Sequence, residues 1–332
     1  MHRLLERQLK KYLKGDIPEG LAPFLSAVDA AYSDLDHDKK FIEKTLEISI
    51  KELDGLNSSL REKQEELEGA FQTILESIEY ATRLQKAQLP DVSQVRQRFA
   101  DLEVFWSPRD QIGGDFWWIT PIGPTGKFSV IAVDCTGHGV PGAMLALLAS
   151  NLLGRIYSVR AERSPAEVLQ KLDELMRIGL HQNVQPSWGN DGCDAAIVQV
   201  DTLAGKVIYA GCGIDLYAID DEGKVDPYLS SNFSLGYPNS VEIAPKEIEV
   251  IVQTNQTLVM SSDGIFDQIG FAPSGRKMSF GANRFVESLQ RSAGKGCASL
   301  VEGVIVDMKQ WQGSERTRDD LMMLAFSLAK LG

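Results

Sequence analysis

Residues 128–145 read FSVIAVDCTGHGVPGAML, and this stretch decides the fold. A β-branched apolar run ends at Asp134, a Gly-His-Gly turn follows, and an apolar helical stretch begins after it. A strand therefore delivers Asp134 to the rim of a sheet. The glycines let bare backbone approach whatever sits there. Working outward, three more segments repeat the setting of an aspartate beside an apolar run: Asp115 in IGGDFWW, Asp263 in MSSDGIFD, and Asp319 with Asp320 in RDDLMML. Short strand-like runs recur between them (LEVFW, AAIVQVD, KVIYAG, LYAID), and helical stretches lie at 140–157, 164–180 and 281–293. Ser164 and Pro165 suit the N-cap and first position of the second helix. Because the strands come in consecutive groups instead of alternating with helices, the pattern predicts an α+β fold with antiparallel sheet.

Carboxylates gathered at one rim suit hard divalent cations, which take oxygen ligands, and Mg²⁺ in particular keeps several waters while few carboxylates bind it. Pairs of such ions about 3.5–4 Å apart activate water and clamp a transferring phosphoryl group. Taken singly, each motif also reads as a turn: Asp263-Gly264, Gly113-Gly114-Asp115 and Gly137-His138-Gly139 all have turn chemistry. Their joint occurrence after successive apolar runs is harder to assign to turns.

The chain before Pro90 is different, being rich in Leu, Glu, Lys and Gln. Leu46, Leu53, Leu60, Leu67, Ile74 and Ala81 follow a strict seven-residue step, with Ile50, Asn57, Gln64, Phe71, Ile78 and Gln85 at the companion positions. Such a heptad predicts a coiled coil, with Asn57 and Gln64 fixing register at some cost in stability. The expected organisation is short helices of unknown role in 1–40, broken at Gly15–Pro18 and Pro23, a coiled coil and linker helix in 41–89, and a catalytic domain in 90–332.

Lys and Arg number 34 against 46 Asp and Glu, a net charge of −12, which disfavours nucleic acid and anionic lipid as partners. No apolar run reaches the roughly 18 residues of a membrane span. Cys135, Cys193, Cys212 and Cys297 lack metal or disulfide spacing, so a reduced, cytoplasmic protein is expected.

Together IGGDFWW, AVDCTGHGVPGAML, VMSSDGIFDQIG with FGANRF, and RDDLMMLAF resemble the PPM-type (type 2C) serine/threonine phosphatases. Within them the set is similar to the bacterial SpoIIE-like branch of partner-switching stress and sporulation pathways. The resemblance covers about residues 75–330, including YATRLQKAQLP, which is similar to that branch's regulatory helix. It implies an αββα sandwich of two antiparallel sheets flanked by helices, with two Mn²⁺ or Mg²⁺ ions at one edge. Asp134 would bridge both ions; Asp115 and the backbone carbonyl of Cys135 would serve one, Asp263 and Asp319 the other. Asp319 is favoured over Asp320. A metal-bridging water would attack phosphoserine or phosphothreonine on a protein, by resemblance a small anti-anti-sigma (STAS) domain.

Other residues have two readings. His138 is either an acid for the leaving oxygen or, as more often in the family, a shaper of its loop. Arg109 either meets substrate phosphate or is a solvated loop residue. Asp191 and Asp194 either hold an extra ion or belong to a turn. Of Trp117 and Trp118, adjacent on a strand, at least one belongs to the core. The coil predicts a parallel homodimer through 41–88. Two rival functions remain: a pseudophosphatase acting as a dimeric binding module, and a diguanylate cyclase suggested by Gly113-Gly114-Asp115-Phe116, in which Trp117 stands where that signature needs an acidic residue.

Overall fold

The computed structural model describes residues 1–332 except 14, 160–162, 184–188, 239–243, 254–255, 273–274 and 330–332. The chain forms two compact units, Met1–Leu75 and Glu76–Gly332. In the first, α1 (Arg3–Tyr12) folds back on the start of α2 (Ala22–Gln88). The His2 ring stacks on Tyr32 with centroids 5.4 Å apart, and Tyr32 Oη donates to Gln8 at 3.1 Å. The expected helix break at Pro23 does not occur. Pro23 lies in the first turn of α2, where a missing N–H costs nothing, so residues 22–40 belong to the same helix as the heptads.

Along its 67 residues α2 buries no side chain. The heptad positions Leu46, Leu53, Leu60 and Leu67 are each more than half exposed. The heptad stripe is thus presented on the helix surface and is not part of the hydrophobic core of the chain.

The second unit is a sandwich. One sheet runs in the order β1 (Asp101–Ser107), β12 (Leu321–Ser327), β9 (Thr257–Ser261), β6 (Leu216–Ile219), β7 (Val225–Tyr228). The other runs β2 (Phe116–Ile119), β3 (Lys127–Cys135), β4 (Cys193–Asp201), β5 (Lys206–Cys212), β8 (Ile248–Val250). Every pairing in both is antiparallel. A hairpin of β10 (Ile269–Phe271) and β11 (Lys277–Ser279) stands apart. Leu102, Trp117, Phe128, Val130, Tyr209, Leu216, Met260 and Phe326 fill the space between the sheets.

Helices α4 (Gly139–Val159) and α5 (Pro165–Gly179) cover the second sheet, and α7 (Gly281–Ser292) and α8 (Cys297–Gln312) cover the first. The short α3 (Val92–Val95) leads into β1, and α6 (Asp263–Phe266) follows β9. The layers are thus helix, sheet, sheet, helix, as the resemblance implies. Ser164 caps α5 through a complete capping box with Glu167. The sequence reading has no counterpart of α8, because CASLVEGVIVDMKQWQ mixes Val and Ile runs that fit helix or strand equally.

Contrary to the reading of apolar runs, α4 is long and apolar enough to cross a membrane by length and composition. Its Leu145, Ala149, Leu153 and Ile156 are buried against the sheet and α5, the position of a core helix.

Phe326 is fully buried and meets Phe99 edge-on at 5.5 Å. Phe326→Ala is expected to destabilise the second unit by about 3–5 kcal/mol, read as a lower urea midpoint with an unchanged slope.

Candidate active site

Period-two alternation explains how the acidic residues meet. In β3, Phe128, Val130 and Ala132 face the other sheet while Ile131 and Val133 face the helices. Two residues beyond Ala132 the same parity reaches Asp134. In β4, Ala196, Val198 and Val200 face inward, and the parity runs back to Asp194. In β2, Trp117 and Ile119 lead back to Asp115; in β12, Met322, Leu324 and Phe326 lead back to Asp320; in β9, Leu258 and Met260 lead on to Ser262. Each of these five strands therefore ends in a polar side chain of the inward set, at one rim of the sandwich. Trp117 is core, and Trp118 packs edge-on against Tyr157 at 5.7 Å on the helix side.

Asp134 lies directly opposite Asp194 in the β3–β4 ladder. One step past the Phe116–Val133 pair, Asp115 falls opposite Asp134 on the other side. Like charges directly across a ladder repel. Asp115 is 1% exposed. Its Oδ2 accepts from Ser262 Oγ at 2.7 Å; among the described residues no amide, hydroxyl or cationic donor reaches its Oδ1, and the neighbour within hydrogen-bonding reach is the Asp134 carboxyl.

Burial pushes the Asp115 carboxyl up to about 8, against the Ser262 hydrogen bond and with repulsion from Asp320 and Asp263. Asp134 is lifted well above the carboxylate range by burial and then by Asp115 and Asp263. Asp263 keeps more of its surface exposed and rises only to about 6, through partial burial and then Asp267, Asp319 and Asp194. Burial also raises Asp194, against a hydrogen bond from Ser234.

Asp320 does a different job. Its Oδ1 accepts from the Arg109 amide at 2.7 Å and its Oδ2 from the Gly114 amide at 2.6 Å. One carboxylate thus pins both ends of the loop before Asp115, with one hydrogen bond to each of its oxygens. Asp319, half-buried, accepts only from the next amide, Asp320 N, at 2.9 Å. Gly114 lies so close to the Cys135 carbonyl that a Cβ there would come within 2.5 Å of that oxygen. From the end of α2, Gln85 Nε2 donates to Gly113 O at 2.6 Å and Gln85 Oε1 accepts from Gly113 N at 3.3 Å. Trp106 Nε1 holds the Asp115 carbonyl at 2.9 Å.

His138 sits between two neighbours: Nδ1 meets Asp110 Oδ2 at 3.0 Å and Nε2 meets Arg109 Nη1. Asp191 is fixed by its backbone, its amide donating to Gln182 Oε1 at 2.9 Å and its carbonyl accepting from Gln182 Nε2 at 2.6 Å.

These residues fit divalent cations. Among the described residues no three acidic, histidine or cysteine side chains close around one point. The carboxylates instead form a chain of close neighbours, Asp115–Asp134–Asp263, with Asp194 beside it. That arrangement suits ions that keep most of their water. Asp115 Oδ1, which no amide, hydroxyl or cationic donor reaches among the described residues, and the repelling Asp134–Asp194 pair are both relieved by positive charge at this rim.

The family description Stage II sporulation protein E (SpoIIE) matches residues 124–329, more than half of the chain. The chain belongs to the SpoIIE-like PPM phosphatases. It is a protein serine/threonine phosphatase, and enzymes of this family are metal-dependent. The SiaA-PP2C domain of Pseudomonas aeruginosa is 30% identical with a TM-score of 0.68, over 78% of this chain and 99% of that one. The phosphatase domain of Bacillus subtilis SpoIIE, with a fragment of its regulatory domain, shares the fold at 12% identity and a TM-score of 0.54. That match covers 69% of this chain and 64% of that one. The RsbU and RsbW domains of a Mycobacterium tuberculosis protein do so at 16% and 0.53, over 70% and 60%. Among curated proteins nothing matches. Membership of this phosphatase family removes the diguanylate cyclase reading of the Gly113–Phe116 stretch.

The structure brings Asp115, Asp134, Asp194 and Asp263 together, with Asp319 beside Asp263 and Arg109 on the loop that Asp320 ties. Sequence reasoning missed Ser262, Asp320 as a clamp, Asp110 and Gln85. Each acts through a backbone amide or another side chain, and only Asp320, doubled with Asp319, left a visible signal.

The sign of the pH effect follows from the raised carboxyls. A group that holds its proton more tightly when folded favours the folded state at low pH, and this contribution fades as pH rises from the ordinary carboxyl value of about 4 towards the folded value. With Asp115 at about 8 and Asp263 at about 6, the metal-free protein is expected to melt at lower temperature at pH 8 than at pH 6. Asp134→Asn removes one repelling charge and should raise the metal-free melting temperature at pH 8. Calorimetry in chelator at the two pH values checks both.

Proposed function

We propose that this rim holds two divalent cations, Mn²⁺ or Mg²⁺, and hydrolyses phosphoserine or phosphothreonine on a protein through a metal-bridging water. The observation that carries the reading is the close pair of buried Asp115 and half-buried Asp134, crowded by Asp194 and Asp263, with no cationic or amide donor on Asp115 Oδ1. Asp134 would serve both ions, Asp115 and the Cys135 carbonyl would hold one, and Asp263 and Asp319 the other. Asp194, with Asp191 next in line, is the place for a further weak ion. Bound cations lower the pKa of water and neutralise charge on the phosphoryl oxygens.

The protein's own part is orientation. Ser262 fixes the Asp115 carboxylate, Asp320 and Gln85 fix the loop that carries it, and the open rim admits a phosphorylated side chain. Membership of a branch that works in partner-switching pathways supports a STAS-domain substrate, and four free cysteines fit a cytoplasmic setting.

The exposed heptads support a parallel homodimer through residues 41–88. The last turns of α2 would then carry regulation, since Gln85 grips Gly113 two residues from Asp115. A turn of that helix end would move the Asp115 loop.

Two experiments test the proposal. Para-nitrophenyl phosphate should be hydrolysed with Mn²⁺ and not in chelator, and Asp134→Asn should lower kcat by more than about a thousandfold (over 4 kcal/mol) with unchanged circular dichroism. Retained turnover in Asp134→Asn would contradict the ligand assignment. Second, light scattering should give a dimer mass for the full chain and a monomer mass for the Leu53→Glu, Leu60→Glu double variant. A variant that stays dimeric would place assembly elsewhere.

A further inference from the structure

We propose that the cavity between the β2–β3 hairpin and the last turns of α4 binds a neutral two-ring aromatic heterocycle with hydrogen-bonding edges, of the purine-base kind. The cavity is remote from the acidic rim. Ser129 in its wall stands five residues before Asp134 on β3, roughly 17 Å along the strand.

Strand alternation builds the floor. Ile131 and Val133 of β3 and Ala195 and Ile197 of β4 pack under the helices, and the same parity continues to Ser129 and Gln199. These two are ladder partners. Thr120 is next in the row, its amide donating to Ser129 O at 3.0 Å. Thr120, Ser129 and Gln199 thus form a buried polar row across three strands, on a face that is otherwise apolar.

Helix α4 leaves this row uncovered. Gly154 lines the space above it, and a Cβ there would meet nothing within 4 Å. Glycine inside a helix is costly, and here it stands beside a cavity of about 370 Å³. That exceeds the roughly 150 Å³ that holds benzene and falls within the range of ligand sites, about 300–1,000 Å³.

The walls carry spare hydrogen-bonding groups. Tyr157 is 9% exposed, and neither its Oη nor Thr125 Oγ1 makes a well-formed hydrogen bond among the described residues. Burial pushes the phenol up to about 12 even with the Ser129 hydroxyl as its polar neighbour, so the group is neutral and able to donate. Thr120 Oγ1 accepts from the Ser129 amide at 2.8 Å, which leaves its own proton to give. Gln199 Nε2 donates to Arg163 O at 2.9 Å, which leaves Oε1 to accept. A buried hydroxyl without a partner is costly, and a ligand with both donors and acceptors relieves it.

Charge and shape narrow the ligand. Lys127 is the one charged side chain among the described lining residues, and Asp201 lies 3.8 Å from its amine, so no unmatched charge calls for an anion. Trp118 and Tyr157 wall the space and meet edge-on at 5.7 Å, aromatic surfaces that suit a flat ring.

The test uses the full chain and adenine, read by calorimetric titration and by melting, so it needs no turnover. Saturable binding is expected, with a melting temperature that rises with adenine concentration. Gly154→Leu fills the space with a better helix former. Its circular dichroism and its hydrolysis of para-nitrophenyl phosphate should match the wild type while adenine affinity falls at least tenfold. Tyr157→Phe and Ser129→Ala should each weaken adenine about 3- to 10-fold, the loss of one hydrogen bond. Indole, with two rings and a single donor, should bind at least about fivefold more weakly than adenine, and AMP no more tightly than adenine. Absence of saturable binding to the wild type would overturn the proposal and leave a cavity that holds only water. Undiminished adenine binding by a folded Gly154→Leu would overturn it as well, and if that variant does not fold, undiminished binding by Tyr157→Phe decides the same way. Indole binding as tightly as adenine, or AMP binding more tightly, would overturn the ligand class.

Discussion

Carboxylates withdrawn from water repel one another, and the active rim of this phosphatase is organised by that repulsion. Five strands place polar ends at one edge, and three of them bring Asp115, Asp134 and Asp194 into adjacent ladder positions. Burial lifts all three above the ordinary carboxyl range, and repulsion from neighbouring carboxylates adds to it at Asp115 and Asp134. A fold with no use for positive charge would gain by replacing one of them with an amide. Keeping all of them makes sense when cations supply the missing charge, and the site is then less stable empty than filled.

The second organising element is the Asp320 carboxylate. By accepting from the Arg109 and Gly114 amides, it converts a six-residue loop into a rigid strap, with a cationic side chain at one end and Asp115 just past the other. Gln85 grips the same strap from the last turns of α2. Asp115, Arg109 and the helix leading into the domain are therefore tied to one short segment.

Much of this was legible in the sequence for a physical reason. Alternation within FSVIAVD fixes the face on which Asp134 emerges, and a core strand that ends in a carboxylate is costly enough to be noticed. Asp115, Asp263 and the Asp319–Asp320 pair were visible as aspartates beside apolar runs, and the choice of Asp319 over Asp320 came from the family resemblance, whereas the alternation itself turns Asp320 inward. The roles of Asp320, Asp110 and Ser262 were not legible, because their partners are backbone amides or side chains brought close only by tertiary packing. At Pro23 the punctuation rule gave the wrong answer, since proline ends a helix from within and begins one from its first turn. Helix α8 was missed because its apolar residues are β-branched and its burial against the first sheet, which decides its form, is not local.

The most direct measurement is anomalous scattering from crystals of the full chain grown with Mn²⁺. Manganese peaks contacting Asp134, one on the side of Asp115 and one on the side of Asp263, are the result this account predicts. Well-ordered crystals with the carboxylates placed as described, saturating manganese in the mother liquor and no peak at this rim would contradict it.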